Sequence, residues 1–425
     1  MFQKILILIK KYKIYLSVFC VSFLINFLFL NKDNIPVIYP DSQNYFDVAS
    51  EIRQFKFPNF SLRTPTYPIY LSFFKNQNSS IIPNLIIASI GSLFLYWIIS
   101  KLTKNKIITF LSTVFIMADY GITNFYSTIL TESIAPTIIL FSVFSHIILS
   151  LPLLIISDFL LIFIKPTFFF LPLCIKVFYF IFFKNTRNKT LLISGIINFI
   201  FMASFLGYNY FQTQKIQLSS VGPVNTLGVV IRYGYLDPQP FYYDAPSEVN
   251  DIIDIYQQNK TTDPWYLIQS IKNSTNIKDI NLYLIKVNNY LIWKNKKSLV
   301  IKSIENFPKN FTTERNFYSK INSKINSKIS TSAIFSFLEE IYNAINRFKF
   351  IGIITGIFIF FTLFIHHNKK NVVIGTILIF SIYTISINTL LSYGEFSRLK
   401  QPVDAILSLL VLLPFYYLKP NDKNN

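Results

Sequence analysis

Charge is scarce in this chain: Asp, Glu, Lys and Arg make up 14% of its 425 residues, against about 25% in ordinary soluble domains. So little charge cannot cover the surface of a water-soluble protein of this length. Cysteine is nearly absent. Cys20 and Cys174 both sit inside apolar runs, which excludes a disulfide framework and a thiolate metal site. Glycine is sparse too, with 11 residues against an average of about 7%, and no internal repeat is visible. Carriers built from repeats with glycine- or proline-broken helices are therefore disfavoured. Arginine supplies only seven of the 40 basic residues. In a chain so rich in Ile, Lys and Asn, an arginine kept against the coding bias suggests a bidentate partner such as phosphate or carboxylate.

What is abundant is apolar and aromatic. Hydrophobic residues make up 52% of the chain, with 45 Phe and 26 Tyr. That exceeds what one soluble core can hide and points to lipid as the solvent. The expected fold class is an all-α polytopic membrane protein with about ten spans, near 14–30, 82–100, 107–121, 133–149, 151–164, 167–183, 190–208, 348–366, 371–391 and 402–418. Lys4, Lys10, Lys11 and Lys13 precede the first run, but no small-residue cleavage site follows it, so it reads as an uncleaved anchor. The net charge of +19 would suggest nucleic acid in a soluble protein. Here the lysines lie between apolar runs, where topology and anionic lipid account for them, and no nucleic-acid partner is expected. Lysine concentrates in 101–106, 182–189, 366–370 and 419–423 and is scarce in 118–132, 165–166 and 392–398. The positive-inside rule then places both termini in the cytoplasm.

The chain divides into 1–208, with seven spans and a first external loop at 31–81; a long external loop region, 209–347; and three C-terminal spans in 348–425. In the middle region 248–258 and 280–305 read as amphipathic helices, Asp237 to Pro240 and Asp244 to Pro246 as turns, and the repeat SKINSKINSKIS at 319–330 as a linker. Few core-like elements are otherwise visible there, so a loop packed on the membrane part is expected rather than a separate domain.

Charged residues near a membrane are costly and mark function more often than elsewhere. The outer-face set is Asp41, Asp47, Arg53, Arg63, Asp119, Glu132, Lys165, Glu395 and Arg398. These come from distant turns that the topology gathers at one surface, which argues for an external active site. Asp41 opens a helix whose apolar face would be Tyr45, Val48, Ala49, Ile52 and Phe55, so it is a candidate N-cap as well as a candidate base. Glu132 could complement a helix dipole, and Lys165 could snorkel. Asp158, deep in an apolar run, calls for an interhelical partner. His146, His366 and His367 show no metal-ligand spacing and read as cytoplasmic-side residues.

Four motifs carry a family resemblance. They are Asp41 followed by Arg63-Thr64-Pro65-Thr66-Tyr67-Pro68; Thr131-Glu132-Ser133; Lys165-Pro166 with Leu171-Pro172; and Arg398-Leu399-Lys400-Gln401-Pro402-Val403-Asp404. In this order and on one side, they resemble the GT-C superfamily of membrane glycosyltransferases, such as the protein O-mannosyltransferase and aminoarabinose transferase groups. The resemblance spans nearly the whole chain and makes 1–208 look like the GT-C front module. It departs at Ser42, where no second carboxylate follows Asp41, and at Lys400 and Ala405, where an arginine and a proline would stand. It implies transfer of a sugar from a polyprenyl-phosphate carrier to an acceptor hydroxyl on a glycan, lipid or protein, outside the cytoplasmic membrane; one base and no obvious nucleophilic carboxylate make inversion the expectation, with Asp47 and Glu132 keeping it open. In that reading Asp41 is the catalytic base, while Arg63, Lys165 and Arg398 bind the lipid phosphate. Asp47 and Glu132 are further site carboxylates, and no metal or cofactor is implied. An O-antigen polymerase-like enzyme and a lipid-linked oligosaccharide flippase are the alternatives.

Overall fold

An apolar run in lipid has to satisfy its own backbone groups, and the α-helix does so within one segment. The computed structural model describes residues 2–28, 30, 38–60, 63–183, 188–237, 245–275, 277, 279–312, 332–366, 370–391 and 399–417, and among these residues no strand occurs. The first half of the chain carries α1 (Phe2–Leu28), α2 (Pro40–Arg53), α3 (Thr66–Ser72), α4 (Ile81–Leu102), α5 (Lys106–Met117), α6 (Tyr120–Thr123), α7 (Ala135–Ile148), α8 (Leu151–Ile164), α9 (Leu171–Phe182) and α10 (Asn188–Thr213). The second half carries α11 (Gly222–Arg232), α12 (Ser247–Asn259), α13 (Pro264–Ser274), α14 (Ile280–Lys294), α15 (Lys296–Asn306), α16 (Lys309–Thr312), α17 (Ser332–Ile365), α18 (Lys370–Leu391) and α19 (Asp404–Tyr417).

Among the described residues, four segments are long and apolar enough to cross a membrane: Asn78–Leu102, Lys189–Thr213, Glu340–Ile365 and Lys370–Leu390. The other six expected spans fall on shorter apolar helical stretches of 10–17 residues, in α1 on Tyr12–Leu28. At 14 residues, α7 and α8 each reach only about 21 Å, against a hydrocarbon thickness of about 30 Å. They form a tight hairpin, with Leu149 in the left-handed region at φ 58° between them.

One feature of the packing was not apparent from composition. Gly352 and Gly356 lie one turn apart on α17, against α19. A Cβ on Gly352 would stand 3.0 Å from the backbone nitrogen of Val411 and 3.2 Å from the carbonyl carbon of Leu410. Small residues at this spacing let two apolar helices approach at backbone distance.

The region 209–347 differs from the expected loop. Helices α11 to α15 enclose a core of their own, including Leu227, Val230, Ile252, Leu267, Ile271, Leu284, Val287 and Leu291. The apolar residues recur at helical spacing, but the Lys- and Asn-rich outer faces dilute the signal in a hydropathy reading. Helices over 248–258 and 280–305 do form, the latter broken at Asn295 into α14 and α15. The boundary expected at 347/348 falls inside α17, which starts at Ser332. A helix continues through polar sequence as readily as through apolar sequence, so the apolar edge does not mark the helix end. Residues 238–244 and the repeat at 319–330 lie outside the described residues.

The ends of the bundle can be told apart. The Lys370 Nζ at the start of α18 donates to the Leu102 carbonyl at the end of α4, at 2.7 Å, so the lysine-rich turns at 101–106 and 366–370 share one end. At the other end of α4, Asn84 meets Tyr70 of α3. The end of α18 receives Tyr233, just after α11, and Asn310 of α16 at Thr389.

Candidate active site at one end of the helix bundle

The first loop is built from its own polar side chains. Pro40 starts α2 with its fixed φ. The Tyr39 N–H donates to Ser42 Oγ at 2.9 Å, and the Ser42 hydroxyl donates to the Ile129 carbonyl at 2.9 Å. Ser42 therefore closes the helix start and anchors it to the bundle. The N-cap position falls on Tyr39 rather than Asp41, which corrects the capping expectation for Asp41. Tyr45, Val48 and Ala49 are buried as expected, whereas Phe55 lies beyond the helix, in the left-handed region and 96% exposed. Arg53 donates to the Phe74 and Lys75 carbonyls, a structural role.

Released from capping, the Asp41 carboxylate accepts a hydrogen bond from Arg63 Nη2 at 2.6 Å. The Asp41 side chain is 40% exposed and the Arg63 side chain 11%. The guanidinium also lies over the Tyr45 ring, 4.9 Å from its centroid. A cation held between a carboxylate and an aromatic face has a fixed orientation.

The RTPTYP run places this pair. The Thr64 hydroxyl donates to the Ile164 carbonyl at 3.0 Å and that of Thr66 to Leu160 at 3.4 Å, so the motif caps the end of α8. The next residue, Lys165, does not snorkel. It is buried, and its Nζ donates to Glu132 Oε1 at 2.8 Å. Glu132 is fully buried and accepts a second hydrogen bond from the Thr131 hydroxyl at 2.9 Å. The Ser133 hydroxyl donates to the Tyr67 hydroxyl at 3.3 Å, and Tyr67 meets Tyr45 edge-on with centroids 5.1 Å apart. Burial pushes the Tyr67 hydroxyl well above its ordinary pKa, and the Glu132 charge adds to the effect. The Asp41–Arg63 and Glu132–Lys165 pairs, drawn from four separate segments, thus share one set of neighbours.

The remaining candidates divide. Asp47 is exposed on α2 and accepts from Gln43 at 2.7 Å; it lies about 120° around the helix from Asp41 and does not join the pair. Arg398 and Glu395 lie outside the described residues. Asp119 joins a second buried cluster, facing Lys349 Nζ at 3.6 Å, with Lys349 3.1 Å from Asp404 and Lys400 3.5 Å from the same carboxylate. Lys400 also donates to Asn346 Oδ1 at 2.5 Å. Lys349 was missed in the sequence, although a lysine near the edge of a long apolar helix is the signal that finds it. One segment, 119–133, carries both Asp119 and Glu132.

A third cluster lies in the interior of the bundle. Asp158 Oδ2 accepts from Lys176 Nζ at 2.5 Å and from Asn198 at 2.9 Å, which supplies the interhelical partners that its depth requires. His146, near the end of α7 that leads into the α7–α8 turn, is fully buried, with Nε2 3.6 Å from Asp158 Oδ1. No family model matches the chain, and no curated protein matches it.

Proposed function

We propose that this chain is a multi-pass membrane glycosyltransferase of GT-C type, moving a sugar from a polyprenyl-phosphate carrier to an acceptor hydroxyl. The observation that carries the reading is the convergence of Asp41–Arg63 and Glu132–Lys165 at the end of the bundle opposite the lysine-rich turns. The resemblance of the four motifs points the same way. In this reading the chain crosses the cytoplasmic membrane ten times, with both termini inside and the site outside.

The chemistry is a single displacement. The acceptor oxygen attacks the anomeric carbon, the bond from that carbon to the phosphate oxygen breaks, and Asp41 takes the acceptor proton. Charge developing on the leaving phosphate falls to Arg63, aided by Lys165 and Arg398. Asp41 is the exposed member of its pair, so an acceptor can reach it while Arg63 holds the carboxylate in place. One base without a nucleophilic partner gives inversion at the anomeric carbon. Glu132, fully buried, sets Lys165 in position; Asp47 stands apart.

The test is incubation of the purified full-length protein with a panel of polyprenyl-phosphate sugars and hydroxyl acceptors, following release of the free lipid phosphate. Release by the wild type and its loss in Asp41→Asn is the expected result; no release from any donor overturns the reading. A flippase remains the second reading, because the Asp158–Lys176–His146 cluster lies deep in the bundle, where intramembrane ionisable groups often line transport paths. Movement of a fluorescent lipid-linked glycan across proteoliposomes without chemical turnover would select it.

A further inference from the structure

Between Lys286 and Lys309 the chain holds six lysines and a single acidic residue, Glu305. Within this stretch Trp293, Val300, Ile301 and Ile304 are each more than half exposed. Lys296 lies over the Trp293 ring at 3.9 Å from its centroid, and Lys294 over Tyr290 at 5.6 Å. On α15 the opposite face is the packed one, with Ser303 and Asn306 buried and Leu299 partly buried. The helix is therefore amphipathic, with its apolar stripe facing outward beside Lys297.

The position of this stripe is fixed by its neighbours. Helix α15 packs against α18, and Lys302 reaches the Tyr233 carbonyl while Tyr233 reaches the Thr389 carbonyl. Just beyond α15, Asn310 bonds Thr389 in the last turn of α18, and Phe307 packs against Phe350 of α17. Thr389 lies at the end of an apolar helix long enough to cross a membrane, and Phe350 lies where α17 passes from polar into apolar sequence. Lysine, an interfacial aromatic ring and aliphatic side chains at that level match an anionic lipid surface.

We propose that the corner formed by the end of α14 and by α15 docks on the anionic lipid headgroups bordering the bundle, with Trp293, Val300, Ile301 and Ile304 entering the interface and Lys294, Lys296 and Lys297 facing the phosphates. The inference rests on the membrane reading above but not on the reaction. Docking here holds the α11–α15 unit against the bilayer at a second place besides α17 and α18.

The experiment uses the full chain in lipid nanodiscs, with Trp97→Phe and Trp265→Phe leaving Trp293 as the sole tryptophan. Expected results are a blue-shifted emission, quenching by lipids brominated near the headgroup, and weaker quenching when anionic lipid is replaced by zwitterionic lipid. Ile301→Asp with Ile304→Asp then shifts the emission red and abolishes the quenching. Full access of acrylamide to Trp293 with no quenching by brominated lipid overturns the proposal. So does protection from both quenchers, which would place a second copy of the chain on this face. The readout is independent of turnover, so a failed transferase assay leaves it intact.

Discussion

At Asp41 the structure separates two roles that the sequence left superposed. Ser42 supplies the hydrogen bonds at the start of α2, so Asp41→Asn should leave stability near wild type while turnover falls by roughly 10²–10⁴-fold, the usual contribution of a general base. Ser42→Ala should show the reverse, losing about 1 kcal/mol in thermal denaturation, as removal of a capping residue does. Full activity in Asp41→Asn would remove the carboxylate from the mechanism. Arg63→Lys keeps the charge but loses the planar fork, so donor binding should weaken by about 1–3 kcal/mol, read as the rise in the apparent dissociation constant for the donor. In the interior cluster, Lys176→Met leaves the Asp158 carboxylate without its lysine and should cost about 3–5 kcal/mol; Lys176→Met with Asp158→Leu should recover most of that. Detergent-solubilised melting curves decide the matter, and a double variant no better than either single would show that the pair does not act as a unit. Asp158 announced its need for a partner through its apolar surroundings. Lys176 was harder to find, because a lysine five residues into α9 looks in sequence like one more topological lysine.

Helices were easier to read than their joints. Long apolar runs placed α4, α10 and α18 closely, since burial in lipid and helical backbone satisfaction demand the same segment. The start of α17 and the core of the α11–α15 unit escaped because their helices carry polar faces, and mean hydropathy cannot see a stripe. The contact between α17 and α19 escaped for another reason: Gly352 and Gly356 matter through what they lack. Gly352→Ala puts a methyl 3.0 Å from the Val411 backbone nitrogen, an atom that cannot turn aside as a side chain can. Overpacking of this kind costs about 1–3 kcal/mol, so the variant should melt earlier while Gly207→Ala, with open space around it, should not. Equal effects at both positions would leave helix propensity, not close approach, as the role of Gly352.

For the molecule as a whole, the gathering of Asp41, Arg63, Glu132 and Lys165 at one end was legible from loop order and charge, because topology alone sorts the loops of a helical bundle. The pairing within that end was not, since partners 33 residues apart on different turns leave no periodicity behind. Sidedness is open to direct measurement: accessibility tags at 104 and 368 should report cytoplasm and a tag at 325 the exterior, and a cytoplasmic signal at 325 would reverse the bundle and move the site inside. The cluster of Asp119 with Lys349 and Asp404 reaches further, into the making of the protein. Asp119 leaves the ribosome some 230 residues ahead of Lys349, about 10–50 s at ordinary rates of synthesis. During that interval the Asp119 carboxylate is in place before the lysine that faces it in the finished bundle. Completion of the last three helices therefore brings Lys349 to Asp119, and a protein cut short before α17 lacks that counter-charge in its first half.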